Sequence, residues 1–262
     1  MRFSVITAAH IWNEDRAKKF DACIESIKNQ DFDHEQFEHI IIDDGSTFKY
    51  TYPSYPWLRV IRQENLQRIT AYNNGFKEAT GEIFTVLDSD DEYDRSYLTH
   101  IDRAFREFPG FKMFNFGCTF IHKDGGTARR DPFRPKEQEI GHEVFGGGQI
   151  VWGTFVWHRS IYDDIGAFPP PIIKDIDCTE INYSQGPRDL NVASPYDFSA
   201  AAQMEFPEIR QYFFVPQAEA DWKIIKELGN PFGQDYYLFY KYTRKFKSKP
   251  LDGEYLYRVH IR

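Results

Sequence analysis

An α/β fold, a mostly parallel sheet with helices on both faces, is what this sequence predicts, and two observations carry the expectation. Short, continuous apolar runs rich in β-branched residues alternate with segments of helical periodicity, in the order β-α-β-(β)-α-β. Strands buried on both faces read as such runs rather than as polar/apolar alternation. Three of the runs also stop in polar or acidic residues, at Thr7/His10, Asp43/Asp44 and Asp88/Asp90. In a parallel sheet those are carboxyl ends on one edge, where ligands of open α/β sheets bind.

The elements follow in order. Phe3–Thr7 reads as the first strand, followed by the small and polar loop Ala8-Ala9-His10-Ile11-Trp12-Asn13. Phe20, Cys23, Ile24 and Ile27 recur at helical spacing, which predicts a helix from about Arg16 to Asn29. Ile40-Ile41-Ile42 then runs into Asp43-Asp44-Gly45-Ser46, and Leu58–Ile61 is a short third strand. Ala71–Ala79 is read as a helix with Gly81 as its C-terminal cap, and Ile83–Leu87 as the fourth strand. Beyond these come a helix over Tyr97–Phe108, a strand pair over Phe111–Ile121 and a turn at Lys123-Asp124-Gly125-Gly126. A flexible connection over 127–148, a strand at Phe155-Val156-Trp157 and a short helix at Ser160–Ile165 come next. Helices at Glu219–Leu228 and Asp235–Phe246 and a last strand at Leu256–Ile261 complete the expectation.

Composition narrows the function. At 262 residues the chain is long enough for one large domain or two small ones. A net charge of −8 disfavours a nucleic-acid backbone as main partner. The 24 Phe and 16 Tyr suit a heavy core or a cleft that stacks on flat ligands. Cys23, Cys118 and Cys178 are scattered and odd in number, with neither zinc spacing nor a disulfide framework. With no apolar run of about 18 residues and no signal-peptide pattern at the N-terminus, a cytoplasmic protein without an integral membrane segment is expected, one that would meet any lipid-linked acceptor at the membrane surface.

The chemistry concentrates in Val86-Leu87-Asp88-Ser89-Asp90-Asp91-Glu92. A buried strand that stops in carboxylates needs relief from like-charge repulsion, by a divalent cation, by Lys or Arg, or by exposure to water. A solvated acidic turn is the plain alternative.

Taken together, Thr7 on the opening strand, Ile40-Ile41-Ile42-Asp43-Asp44-Gly45-Ser46-Thr47, the Asn73-x-Gly75 helix with Ala79-Thr80-Gly81-Glu82, and Leu87-Asp88-Ser89-Asp90-Asp91 resemble the inverting family 2 glycosyltransferases of the GT-A fold. The likeness covers about residues 1–120, and resumes at 155–169, 233–242 and 255–260. It implies one Rossmann-like domain over 1–262, with a nucleotide-sugar half at 1–120 and an acceptor half at 121–262 carrying a smaller mixed sheet and an insertion at about 170–232. It further implies a nucleotide-diphosphate sugar donor, and a glycan, glycolipid or protein-linked acceptor. An acidic cluster cannot bind a diphosphate directly, so a Mn²⁺ or Mg²⁺ bridge is expected at Asp88 and Asp90.

By the same resemblance Thr7, Ala8 and His10 flank the base, Asp43 or Asp44 accepts from base or ribose, and Asp88 lies near the ribose or a metal-bound water. Arg68, with Asn73 on the helix, is the candidate partner of the diphosphate, although the family often has Arg where this chain has Tyr72. Gly233-Gln234-Asp235-Tyr236-Tyr237-Leu238 matches the motif that supplies the general base, here Asp235, with Gln234 where Glu is common. His260 in Tyr257-Arg258-Val259-His260 matches a position that completes the metal or diphosphate site, and Trp157 and His158 match the acceptor side. Each has a structural alternative: a turn cap for Asp43 and Asp91, a solvated side chain for Arg68, a helix cap for Asp235, a surface residue for His260 and a core histidine for His158. The insertion either shapes acceptor choice or is a structural lid or oligomer contact.

Two other classes compete. A nucleotidyltransferase would open with a Gly-rich, basic phosphate loop after the first strand, and Ala8–Asn13 contains neither Gly nor Lys. A non-catalytic nucleotide- or glycan-binding relative is disfavoured by an intact Asp-x-Asp together with a base candidate.

Overall fold

The computed structural model describes residues 2–132, 151–166 and 246–260, with two short strands at 172–173 and 212–213. Its first half is a parallel sheet. Strands β1 (Phe3–Ala9), β2 (Phe37–Asp44), β3 (Leu58–Gln63) and β4 (Ile83–Val86) lie in the order β3-β2-β1-β4, all parallel. Helix α1 (Glu14–Lys28) connects β1 to β2, and α2 (Gln67–Glu78) connects β3 to β4. Successive side chains on a strand point to opposite faces, and the core divides accordingly. Phe3, Val5, Ile41, Ile83 and Leu87 pack with α1 and with α3 (Tyr97–Glu107), whereas Ile6, Ile40, Ile42, Phe84 and Val86 pack with α2.

The same sheet continues into a mixed half, β8-β6-β11-β5, with β7 beside β6. Here β5 is Glu92–Tyr93, β6 Met113–Ile121, β7 Thr127–Arg130, β8 Phe155–His158 and β11 Ser248–His260. A short helix, α4 (Arg159–Ile165), leaves β8 and adds Ile161 to the α2 face. Ile172–Ile173 (β9) and Tyr212–Phe213 (β10) pair with each other in a two-stranded antiparallel sheet.

Several boundaries differ from the sequence expectation for identifiable reasons. The stretch expected as a strand pair over Phe111–Ile121 is one strand, Met113–Ile121, and one of its antiparallel partners is β7, at the start of the stretch expected to be a flexible connection. Arg129 stacks on Tyr255 and Arg130 on Phe120, which fixes that edge. The turn between them is as expected, with Gly125 at φ 84. Gly81 is not a left-handed cap: α2 ends at Ala79 in extended geometry, and a Cβ on Gly81 would lie 2.7 Å from the Phe3 carbonyl carbon. Close passage under β1 is what requires glycine there. The neighbouring Thr80 donates from N and Oγ1 to Glu38, and Gly81 N donates to Ser4 Oγ, closing the amino-terminal edge of the sheet.

Inside β2, His39 is 0% exposed. Its Nε2 meets Thr7 Oγ1 at 2.9 Å, and among the described residues its Nδ1 has no partner. Burial lowers its pKa from 6.5 to about 3. The unfolded chain therefore takes up a proton below pH 6.5 that the folded one refuses until about pH 3. Stability that is complete above pH 6.5 is lost as pH falls through this window, at about 1.4 kcal/mol per pH unit. Urea unfolding at pH 7, 6 and 5 is expected to show this slope, and His39→Gln to flatten it; equal slopes in both proteins would remove His39 as the cause.

Candidate functional site

The parallel register sets the site. Ala9 stands opposite Asp43 and Ile6 opposite Val86, so the chain leaves β1, β2 and β4 at one edge. An open cleft of about 320 Å³ lies there, and Ala8, His10, Asp44, Arg68, Asp88 and Asp90 line it together with Trp12, Arg16, Asn65 and Ser89.

On the β2 side, Asp44 closes the start of α2. Its Oδ1 accepts from Leu66 N at 2.8 Å and from Gln63 Nε2 at 2.7 Å, so a carboxylate from another element satisfies an amide at the helix N-terminus. The Asp44 carbonyl lies 2.9 Å from His10 Nδ1, which must donate to it. In the neutral ring that leaves His10 Nε2 as an acceptor. Gly45 follows at φ 70, where a Cβ would also lie 2.7 Å from Asn65 N; the turn that directs Asp44 into the cleft requires glycine on both counts.

Asp43, on the opposite strand face, accepts from Ser46 N at 2.8 Å and from Arg62 Nη1 at 2.6 Å. It is the turn cap, buried away from the cleft. Thr7 is buried against His39, and Asn73 is buried on α2 outside the cleft lining. Side-chain alternation and helix phase turn these three positions into the protein, off the cleft lining.

The acidic turn forms the other wall. Leu87 N donates to Ile6 O, extending the ladder by one residue, and Asp91 N closes a turn on Asp88 O at 3.1 Å. Asp88 Oδ1 accepts from Tyr72 Oη at 2.7 Å, and Arg68 Nη1 stands 3.9 Å away. Tyr72, where the family often has Arg, thus offers this carboxylate a neutral donor. Asp90 Oδ2 pairs with Arg16 Nη1 at 2.6 Å, with side-chain exposures of only 16% and 10%. Arg16 Nη2 also donates to Ser89 Oγ at 3.1 Å, and its guanidinium lies 4.8 Å from the centre of the Trp12 ring.

Asp91 is buried, and its carboxyl is pushed well above the usual carboxylate range by burial first and by the Asp88 charge second. Strand β11 holds this end of the turn. His260 N donates to Asp91 Oδ1 at 3.0 Å, and Tyr257 Oη accepts from Asp88 N at 3.1 Å. Gly153 lies flat against the Tyr257 ring, where a Cβ would overlap the ring carbons. The His260 imidazole meets Glu92 Oε1 at 2.6 Å, so His260 borders the acidic turn without lining the cleft.

The two residues expected on the acceptor side sit away from the acidic turn. β8 runs antiparallel to β4, pairing His158 with Ile83 and Trp157 with Phe84, at the amino-terminal end of β4. Asp88 lies five positions beyond Ile83 along the chain, about 16 Å at strand rise, so both residues sit toward the opposite edge. Trp157 is 0% exposed and packs against Phe76 and Trp152, while His158 Nδ1 caps α4 by accepting from Ser160 N. Gln234, Asp235 and the two helices expected around them lie outside the described residues.

Arg16, Trp12, Tyr72 and Ser89 belong to the site although sequence reasoning did not select them. Arg16 carried a signal: it lies four residues before Phe20 and seven before Cys23, on the apolar face of α1. A charge in that position has a partner inside the fold.

A parallel α/β half brings Asp44, Asp88 and Asp90 onto one cleft at its strand ends, and residues 4–166 match glycosyl transferase family 2, to which the chain belongs. Over 95 residues it is 36% identical to YibD of Escherichia coli, described as an uncharacterized glycosyltransferase; the match takes in 34% of this chain and 27% of YibD. In overall fold it resembles S. aureus TarS 1–349 crystallised with UDP-GlcNAc, at a TM-score of 0.58 and 16% identity, across 100% of this chain and 59% of that one. A second crystal structure of S. aureus TarS 1–349 gives a TM-score of 0.51 at 15% identity, across 99% of this chain and 60% of that one. The chain thus spans less than two thirds of the length of either relative.

Proposed function

We propose that this chain transfers a sugar from a nucleotide-diphosphate sugar to an acceptor hydroxyl of a glycan or glycoconjugate, with inversion and with a divalent cation. The convergence of Asp44, Arg68, Asp88 and Asp90 on one cleft carries the reading, supported by family membership. Asp44, held by the α2 amide, receives hydrogen bonds from base or ribose, and His10 and Trp12 flank the ring. Arg68 faces the diphosphate.

Among the described residues no three His, Cys, Asp or Glu side chains form a ready cage for an ion. A pair of carboxylates that leaves the remaining positions to water and substrate phosphate suits Mg²⁺ or Mn²⁺. The residues fit such an ion, with Asp88 and Asp90 as its holders and His260 beside them. When bound, it offsets the charge of the departing diphosphate. Asp235 takes the proton from the acceptor hydroxyl on the side opposite the leaving group, so no covalent intermediate is needed. We assign 121–262 to the acceptor half of a single domain, with 170–232 as its insertion.

Calorimetry with UDP, GDP and dTDP, each with and without Mn²⁺, tests the site. One of these nucleotides is expected to bind more tightly with the ion present. Exchange of pyrophosphate into a nucleoside triphosphate would instead establish a nucleotidyltransferase.

A further inference from the structure

Arg16 is a firmly held cation of the cleft, and the function proposed above does not use it. Three contacts fix it: Asp90 at 2.6 Å, Ser89 at 3.1 Å and the face of Trp12 at 4.8 Å. It opens on the same cleft as Arg68 and Asp44. Yet its contact is on the carboxylate proposed to hold the ion. A guanidinium and a divalent cation on the same carboxylate repel each other, so either one lowers the affinity of the other.

We propose that Arg16 is an exchangeable counter-ion, which neutralises Asp90 in the free protein and moves to the diphosphate when donor and cation arrive together. The inference rests on the donor-cleft reading. A nucleotide diphosphate with its ion brings both replacements: the ion takes Asp90, and the phosphate oxygens offer the guanidinium a planar, bidentate partner. No charge is left alone in a part-buried site at either end of the exchange, whereas an ion arriving without nucleotide would strand Arg16. Cation and nucleotide therefore bind cooperatively, with Arg16 as the coupling residue, and by linkage each raises the affinity of the other by the same factor.

The test measures three affinities by calorimetry, for wild type and Arg16→Gln: Mn²⁺ alone, nucleotide diphosphate alone, and nucleotide diphosphate with saturating Mn²⁺. The nucleotide is whichever of UDP, GDP and dTDP wild type binds. In Arg16→Gln, Mn²⁺ alone is expected to bind about tenfold more tightly, and the nucleotide with Mn²⁺ about tenfold more weakly, so the coupling between them collapses. Arg16→Lys keeps the charge but loses the fork and the stack, and is expected to fall between the two on both measures. Weakening of both affinities in Arg16→Gln would make Arg16 a structural brace and overturn the proposal. Tighter Mn²⁺ binding with unchanged or tighter nucleotide binding would overturn it too, since Arg16 would never reach the diphosphate. Wild type that binds none of the three nucleotides with Mn²⁺ would instead remove the donor-cleft reading on which the exchange depends.

Discussion

Asp90→Asn is expected to lower sugar transfer by about 100- to 1,000-fold, the loss that follows removal of one charge-stabilising group at a developing anion. An amide is a poor ligand for a hard cation, and at Asp90 it faces Arg16 as well. The substitution thus weakens the ion's site and leaves a guanidinium that is only 10% exposed beside a neutral group. That second effect is expected to reduce folding stability by about 1–3 kcal/mol, so the rate is measured well below the variant's unfolding midpoint. The readout is acceptor-dependent release of nucleotide diphosphate across a Mn²⁺ titration. A rate within threefold of wild type, in a folded variant, would leave the acidic turn without its chemical role.

The second large effect is expected at Asp235. Its conservative replacement separates the two readings of that position, because Asn caps a helix about as well as Asp but cannot remove a proton. Asp235→Asn is expected to retain stability and donor affinity while kcat falls by about 100- to 10,000-fold. Transfer near the wild-type rate would reduce Asp235 to a cap and send the search for the base elsewhere in the acceptor half.

What the sequence made legible follows from how locally each feature is determined. Strands β1, β2 and β4 are buried on both faces and read as unbroken apolar runs. Their parallel pairing then required the acidic ends to meet, which is why Asp44, Asp88 and Asp90 could be selected in advance. The start of α2 could not be read in the same way. Its N-cap, Leu66, has no side-chain cap, and the carboxylate that serves its amide is Asp44, far back in the chain. Strand β11 begins eight residues earlier than expected, because Pro250, Asp252 and Gly253 interrupt its pattern where the ladder with β6 slips register. Asp43 and Asp44 look equivalent in sequence, and only the alternation of the strand sends one to a turn and the other to the cleft. Arg16 and Asp90 lie 74 positions apart, so no local pattern announces their pairing.

The tie between β11 and the acidic turn has a consequence for biosynthesis. His260 N to Asp91 and Asp88 N to Tyr257 each close a loop of 169 positions. During translation the Asp-rich segment leaves the ribosome well before the segment that fastens it, at roughly 5–20 residues per second. For those seconds the turn is held, among the described residues, only from β1, α1 and α2. The nascent chain can assemble the β1–β4 platform early, but the acidic turn gains these two bonds only once β11 docks.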